Sequence, residues 1–128
     1  MSDQTIFPAL RYRDARAAID WLGRAFGFEP RMVVDGEGGA VAHAELVLGR
    51  AMIMLGSVRE DNEHMPPPGG AATYVVVEDP AAVHERARGA GAEIVRELND
   101  TDYGSREFSA RDPEGNHWSF GTYQPWAS

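Results

Sequence analysis

His43 and Glu45 stand two residues apart in an alternating stretch, so on a strand both side chains project to one face. His117 and Ser119 repeat that spacing near the C-terminus. Two imidazoles and a carboxylate suffice to hold a divalent metal such as Zn, Ni, Mn or Fe with positions left open for substrate, provided the fold carries His117 opposite His43 and Glu45. Without a metal, Glu45 has chemistry of its own. Among Phe7, Met52 and Met54, lost hydration would push its carboxyl up and make it a general base, or an anchor for an amine or hydroxyl of a ligand. Pairing with Arg11 or a histidine would make it a structural ion pair instead. His43 has a plain alternative in a hydrogen bond one rung away, and His117 in capping a turn.

The elements that must position these groups read off in order. Residues 6–12 suit a strand, and Asp14 suits the N-cap of a helix over 15–26 whose buried stripe is Ala15, Ile19, Leu22 and Phe26. Gly27 falls where a helix C-terminal glycine belongs. A strand over 31–34 leads to Asp-Gly-Glu-Gly-Gly, and 41–48 with 51–55 form a hairpin about Gly49-Arg50. Residues 57–72, acidic and then Pro/Gly-rich, carry neither period and read as a linker. The same order then restarts: a strand over 73–77, a helix opened by Asp79-Pro80 with Val83, Ala87 and Ala90 inward, and Gly91 at its end. Strands over 92–98, 105–110 and 117–123 follow. The chain is thus one domain, 1–128, of two βαβββ modules, 5–56 and 73–124, an internal repeat.

Period-2 bookkeeping assigns the faces. Ala44, Leu46, Leu48, Ala51, Ile53 and Leu55 share an apolar face that suits contact with a helix. Leu10, Tyr12, Tyr74, Val76, Trp118 and Phe120 are expected with them, and Phe108 beside Trp118. The opposite face collects Phe7, Arg11, His43, Glu45, Met52, Met54, Thr73, His117 and Ser119, with Glu107 near its mouth. Its mixture of apolar and convergent polar side chains suits a small-molecule pocket, for which two flexible thioethers supply adaptable contact. Trp21 and Trp118 read as packing, Trp126 as docking the tail, and His64 and His84 as solvated surface without partners.

Composition excludes several classes. Absence of Cys rules out disulfides, thiolate metal sites and Cys nucleophiles, and the twelve basic residues are all Arg, which rules out lysine Schiff bases. A net charge of −8 argues against nucleic acid and anionic membranes as partners. No run approaches the roughly 20 apolar residues of a membrane span, and none reads as a signal peptide, so the cytoplasm is the expected compartment.

Asp112-Pro113-Glu114-Gly115-Asn116 ahead of a strand fits a type I turn with Gly closing the hairpin. With the repeat, in which Phe26-Gly27-Phe28-Glu29 and Ala90-Gly91-Ala92-Glu93 occupy matching places, it resembles the vicinal oxygen chelate superfamily. That superfamily includes glyoxalase I, the bleomycin-resistance proteins and the extradiol dioxygenases. The resemblance implies an α+β fold in which two βαβββ modules form a curved mixed sheet, a half-barrel with the helices on its outer face. It also implies a homodimer, and a metal held at places that fall here on Phe7, Glu45, Thr73 and Ser119. A phenyl ring and neutral hydroxyls are poor ligands, so no cofactor is expected. The function expected from this is sequestration of an aromatic or planar molecule, as in the bleomycin-resistance type. The alternatives are a metal-dependent glyoxalase-like lyase, isomerase or dioxygenase using His43, Glu45 and His117, acid/base work by Glu45 alone, and an accessory module whose sheet face a partner chain fills.

Overall fold

A computed structural model of the chain describes residues 4–59 and 66–127. The first sheet has the order β1(Ala9–Tyr12), β4(Ala51–Ser57), β3(Val41–Leu48), β2(Glu29–Asp35), and helix α1(Ala15–Phe26) follows β1. The second repeats it as β5(Ala72–Val76), β8(His117–Gly121), β7(Arg106–Arg111), β6(Glu93–Asp100), with α2(Pro80–Gly89) after β5. In each, the first strand pairs in parallel with the last and the other pairings are antiparallel. Among the described residues the fold is therefore two four-stranded mixed sheets and two α-helices, with no closed barrel, as the repeated βαβββ pattern requires. His64 falls outside the described residues.

Local signals explain both helices. Asp14 and Asp79 each accept a backbone N–H three residues on, at 3.1 and 3.2 Å, satisfying donors that the first turn leaves open. Gly27, at φ +90°, closes α1 in the left-handed conformation open to a residue without Cβ. The buried stripe of α1 includes Ala15, Leu22 and Phe26, joined by Ala18, Trp21 and Ala25.

One core serves both modules. Phe26 at the end of α1 lies with its ring 5.6 Å from Trp118 and 4.6 Å from Phe120 of the second sheet, and Phe28 lies 5.6 Å from Trp118. Contacts of this kind contribute about 0.5–1.5 kcal/mol each beyond the apolar area they bury. The Asp112–Asn116 turn ties the modules by polar contacts. Asp112 Oδ2 accepts the Tyr12 hydroxyl at 2.6 Å, Trp118 Nε1–H at 3.1 Å and Asn116 Nδ2–H at 3.2 Å. Its Oδ1 accepts the N–H of Glu114 and of Asn116, at 3.0 and 3.1 Å. Burial, then the neighbouring Asp112, pushes the Tyr12 phenol well above its ordinary range, so the hydroxyl keeps its proton to donate.

Both ends of α1 are held by the other module. Glu114 accepts the N–H of Arg13 and of Asp14 at 2.6 and 2.9 Å, placing a carboxylate at the positive end of the helix. Arg86 of α2 donates to the last-turn carbonyls of Gly23 and Arg24, both at 2.9 Å.

Three expectations are corrected. β5 presents the opposite faces: Thr73 pairs with Trp118 and Val75 with Phe120, while Tyr74 pairs with Ser119. Trp126 is 94% exposed, so its ring does not dock the tail on the described residues. His84 is partly buried and partnered, its Nε2 2.9 Å from Glu97 and its ring edge-on to Phe108 at 5.1 Å.

Candidate functional site

Each sheet turns one face to the core and leaves the other open, and the expected site residues divide between the two open faces. On the first sheet the hairpin register is as the turn at Gly49 dictates: Glu45 opposite Met54, Val47 opposite Met52. Beside them β1 pairs Ala9 with Met54 and Arg11 with Gly56. Phe7, Arg31, Val47 and Met52 line a cavity of about 440 Å³ there.

Glu45 pairs with a histidine, one of the two partners expected for it, and with Arg31 in place of Arg11. Its Oε2 lies 2.9 Å from His43 Nε2, and its Oε1 accepts Arg31 Nη1–H at 2.7 Å. A register shift between Pro30 and Met32 accompanies the approach of Arg31. The hydrogen bond to His43 and the charge of Arg31 hold the Glu45 carboxyl below its ordinary range, overcoming the opposing effect of partial burial. A carboxylate held ionised in this way is a weak base: of the two expectations for Glu45, a raised carboxyl among Met and Phe or an ion pair with Arg11 or a histidine, the histidine pairing is the one present. Arg11 instead lies over Gly56, where an added Cβ would meet its Nη1 at 2.8 Å, and its buried Nε has no hydrogen-bond partner among the described residues.

On the second sheet, side chains meet in rows across the strands. Arg96 pairs with Ser109, Ser109 with Ser119, and Ser119 with Tyr74. The two serine hydroxyls are 2.7 Å apart. The next row holds Glu107, which is 3% exposed. Each of its oxygens takes two donors: Oε1 accepts Arg96 Nη2–H and Tyr103 Oη–H, both at 2.8 Å, and Oε2 accepts Ser105 Oγ–H at 2.9 Å and Tyr74 Oη–H at 3.1 Å. Burial pushes this carboxyl up, but the four hydrogen bonds, led by that from Arg96, outweigh it and hold the group below its ordinary range. The phenols move the other way: burial raises Tyr74, and the hydrogen bond to Glu107 raises Tyr103.

Gly121 makes this cluster possible. A Cβ on it would lie 2.6 Å from Glu107 Cγ and against the Tyr74 hydroxyl. Above the cluster opens a cavity of about 510 Å³ lined by Tyr74, Arg96, Tyr103, Glu107, Ser119 and Tyr123. The Tyr103 and Tyr123 rings stand edge to face with centroids 5.7 Å apart.

Of the expected residues, Phe7, Met52 and Ser119 line these cavities. Thr73 faces the core side, and His117 lies on the second sheet, paired with Arg111. No hydrogen bond or ion pair among the described residues joins His117 to His43 or Glu45, and no group of three or more metal-ligating side chains is assembled there. The family metal does not fit the donor set: Phe7 has no donor atom, Thr73 is turned away, and Ser119 offers a neutral hydroxyl, a poor ligand, already hydrogen-bonded to Ser109. Tyr74, Arg96, Tyr103 and Tyr123 went unnamed as site residues, and Glu107 is buried in the site and not at its mouth.

Comparison with known proteins agrees with this architecture. The model of the glyoxalase/bleomycin resistance protein/dioxygenase superfamily matches residues 5–120. An uncharacterised protein of Mycobacterium tuberculosis is 32% identical over 126 residues, covering 93% of this chain and 74% of the relative. The crystal structure of TioX from Micromonospora superposes with a TM-score of 0.80 at 31% identity, covering 94% of this chain and 99% of TioX. A glyoxalase/bleomycin resistance protein from Catenulispora acidiphila gives 0.68 at 23%, covering 93% and 97%, a likeness of fold.

Proposed function

The chain belongs to the glyoxalase/bleomycin resistance protein/dioxygenase superfamily, and we propose that it binds and sequesters an aromatic or planar organic molecule without the superfamily metal. The observation that carries this reading is the tyrosine-lined cavity of the second sheet. Its volume of about 510 Å³ suits a small ligand, three aromatic side chains supply contact area, and polar groups converge at its floor. The saturated Glu107 and the ionised, partnered Glu45 leave neither carboxyl poised as a base, which favours binding over turnover.

The protein is proposed to act in the cytoplasm as a homodimer, the first-sheet face of one chain completing the second-sheet cavity of its partner. The open faces leave Met32, Val34 and Val76 exposed at 41–46%, apolar surface that such pairing would cover. Phe7, Arg11, His43, Glu45, Met52 and Met54 would then reach a ligand from the opposite wall. No helix among the described residues is long and apolar enough to cross a membrane.

Calorimetric titration with bicyclic aromatics such as naphthalene, quinoline and indole derivatives tests the reading. Saturable binding that Tyr103→Ala weakens is the expected result; no saturation by any of them up to about 1 mM, a free energy of about −4 kcal/mol, would overturn it. A stoichiometric Zn, Ni, Mn or Fe in protein purified without chelator, lost with activity in His43→Ala or Glu45→Ala, would establish the metal-dependent enzyme instead.

A further inference from the structure

Resting on that reading, we propose that the second-sheet cavity selects an anionic aromatic, a ring bearing a carboxylate or phenolate, through the unshared N–H groups of Arg96. The inference comes from counting which polar atoms of the cavity remain available. Glu107 accepts four hydrogen bonds, two per oxygen, and a carboxylate has about four lone-pair sites. It therefore offers nothing further to a ligand ammonium, an N–H donor or a metal. Tyr74 and Tyr103 have committed their hydroxyl protons to Glu107, and Ser109 and Ser119 share one hydrogen bond with each other, which leaves one serine O–H as a neutral donor on the same floor.

Arg96 is different. A guanidinium carries five N–H donors in a planar fork, and among the described residues a single one, on Nη2, is used, by Glu107 at 2.8 Å. Its side chain is 45% exposed and lines the cavity. The pairing with Glu107 anchors the fork, so little side-chain freedom remains to be lost when a second oxygen anion arrives. The cavity thus has an aromatic wall, Tyr103 and Tyr123, beside a fixed cationic donor set with spare capacity. An aromatic acid satisfies both at once, ring against tyrosine and carboxylate against the fork. A cation drawn to the tyrosine faces would instead meet a Glu107 whose oxygens are filled and the unshared N–H donors of Arg96.

The test compares three probes of one shape: 2-naphthoate, neutral 2-naphthamide and 2-naphthylmethylammonium, titrated calorimetrically into the full chain. We expect naphthoate to bind about tenfold or more tighter than naphthamide, the scale of a charge-assisted hydrogen bond, and the ammonium to bind weakest. Arg96→Met should bring the naphthoate-to-naphthamide ratio close to one, while Arg96→Lys, which keeps the charge, should retain a preference. Should Arg96→Met fail to fold, the wild-type ratio and the lysine variant decide. Naphthamide or the ammonium binding as tightly as naphthoate, with Tyr103→Ala weakening all three, would overturn anion selection and leave the aromatic site standing. Failure of every probe to bind would overturn both.

Discussion

Replacing Asp112 with Asn should destabilise the whole fold, because one carboxyl serves donors from both modules. Its Oδ2 accepts the Tyr12 hydroxyl, the Trp118 indole N–H and the Asn116 amide, and its Oδ1 accepts two backbone N–H groups. An asparagine must aim its NH₂ at one of these sets. Keeping the oxygen toward the backbone leaves three donors facing a fourth, in a site where Tyr12 and Trp118 are fully buried and Asn116 is 2% exposed. The Tyr12 hydroxyl can rotate, but the indole and amide N–H groups cannot. Each buried donor left without a partner costs about 1–3 kcal/mol, so after relaxation the loss should be about 3–5 kcal/mol, the range of a broken buried network. Tyr12→Phe removes one donor and leaves Oδ2 two others, so it should cost about 1 kcal/mol. Urea denaturation followed by Trp fluorescence and by far-ultraviolet circular dichroism measures both. An Asp112→Asn variant within about 1 kcal/mol of wild type, or no worse than Tyr12→Phe, would refute the account of the turn as the tie between modules.

Glu107 should shape the acid limb of stability. Its carboxyl is held low in the folded protein, so its contribution is present above the unfolded value, about 4.3, and is lost as pH falls through the lowered folded value. Urea midpoints measured from pH 6 to pH 3 should fall more steeply below about pH 4 in wild type than in Glu107→Gln; parallel curves would contradict this. For assembly, light scattering at micromolar concentration should give about twice the chain mass of 14.0 kDa, and a monomer mass would count against the proposed dimer. If two chains complete the pocket, Phe7→Ala on the first sheet should also weaken ligand binding, by about 1–3 kcal/mol for lost ring contact; unchanged affinity in calorimetry would place the ligand on the second sheet alone.

The fold was legible wherever a turn pinned the register. Gly49-Arg50 sets Leu48 opposite Ala51, and every pair down to Glu45 and Met54 then follows. The aspartate caps before Ala15 and Pro80 and the glycine after Phe26 were equally plain. Illegible were places where periodicity carries no information. β5 reads Ala-Thr-Tyr-Val-Val, with both faces acceptable to a core, so the choice between Thr73 and Tyr74 rested on nothing local. Its parallel register on β8, which seats Tyr74 on Ser119, is a long-range fact. The shifts in β6 on either side of Arg96 likewise defeat counting by twos, and that strand supplies the cation of the second cavity. Arg31 reached Glu45 beside a shift of the same kind in β2. Arg96 and Arg31 were missed because register is irregular beside them, Tyr74 because either face of β5 suited a core, and Tyr103 and Tyr123 because they lie outside the strands, where period-2 counting does not apply.

The repeat shows how one architecture can carry two different surfaces. In each module the last strand places a glycine directly after a buried core residue, Gly56 after Leu55 and Gly121 after Phe120. In each, the space a Cβ would occupy is taken by the polar end of a side chain from the module's first strand, Arg11 in one and Tyr74 in the other. The two strands supply that group from different rungs: Arg11 pairs with Gly56 itself, whereas Tyr74 pairs with Ser119, two residues before Gly121. That offset lets the Tyr74 hydroxyl run along the strand to meet Glu107, while Arg11 Nη1 takes the space over the glycine opposite it. The glycine gap is thus common to both halves, and the residue that fills it differs. Divergence at a filled gap changes the chemistry of the open face without touching the core beneath, because Leu55 and Phe120 project to the other side of the sheet. A second module free to exchange a cation for a phenol at this point can acquire a polar floor and an aromatic wall while its partner module keeps a different surface.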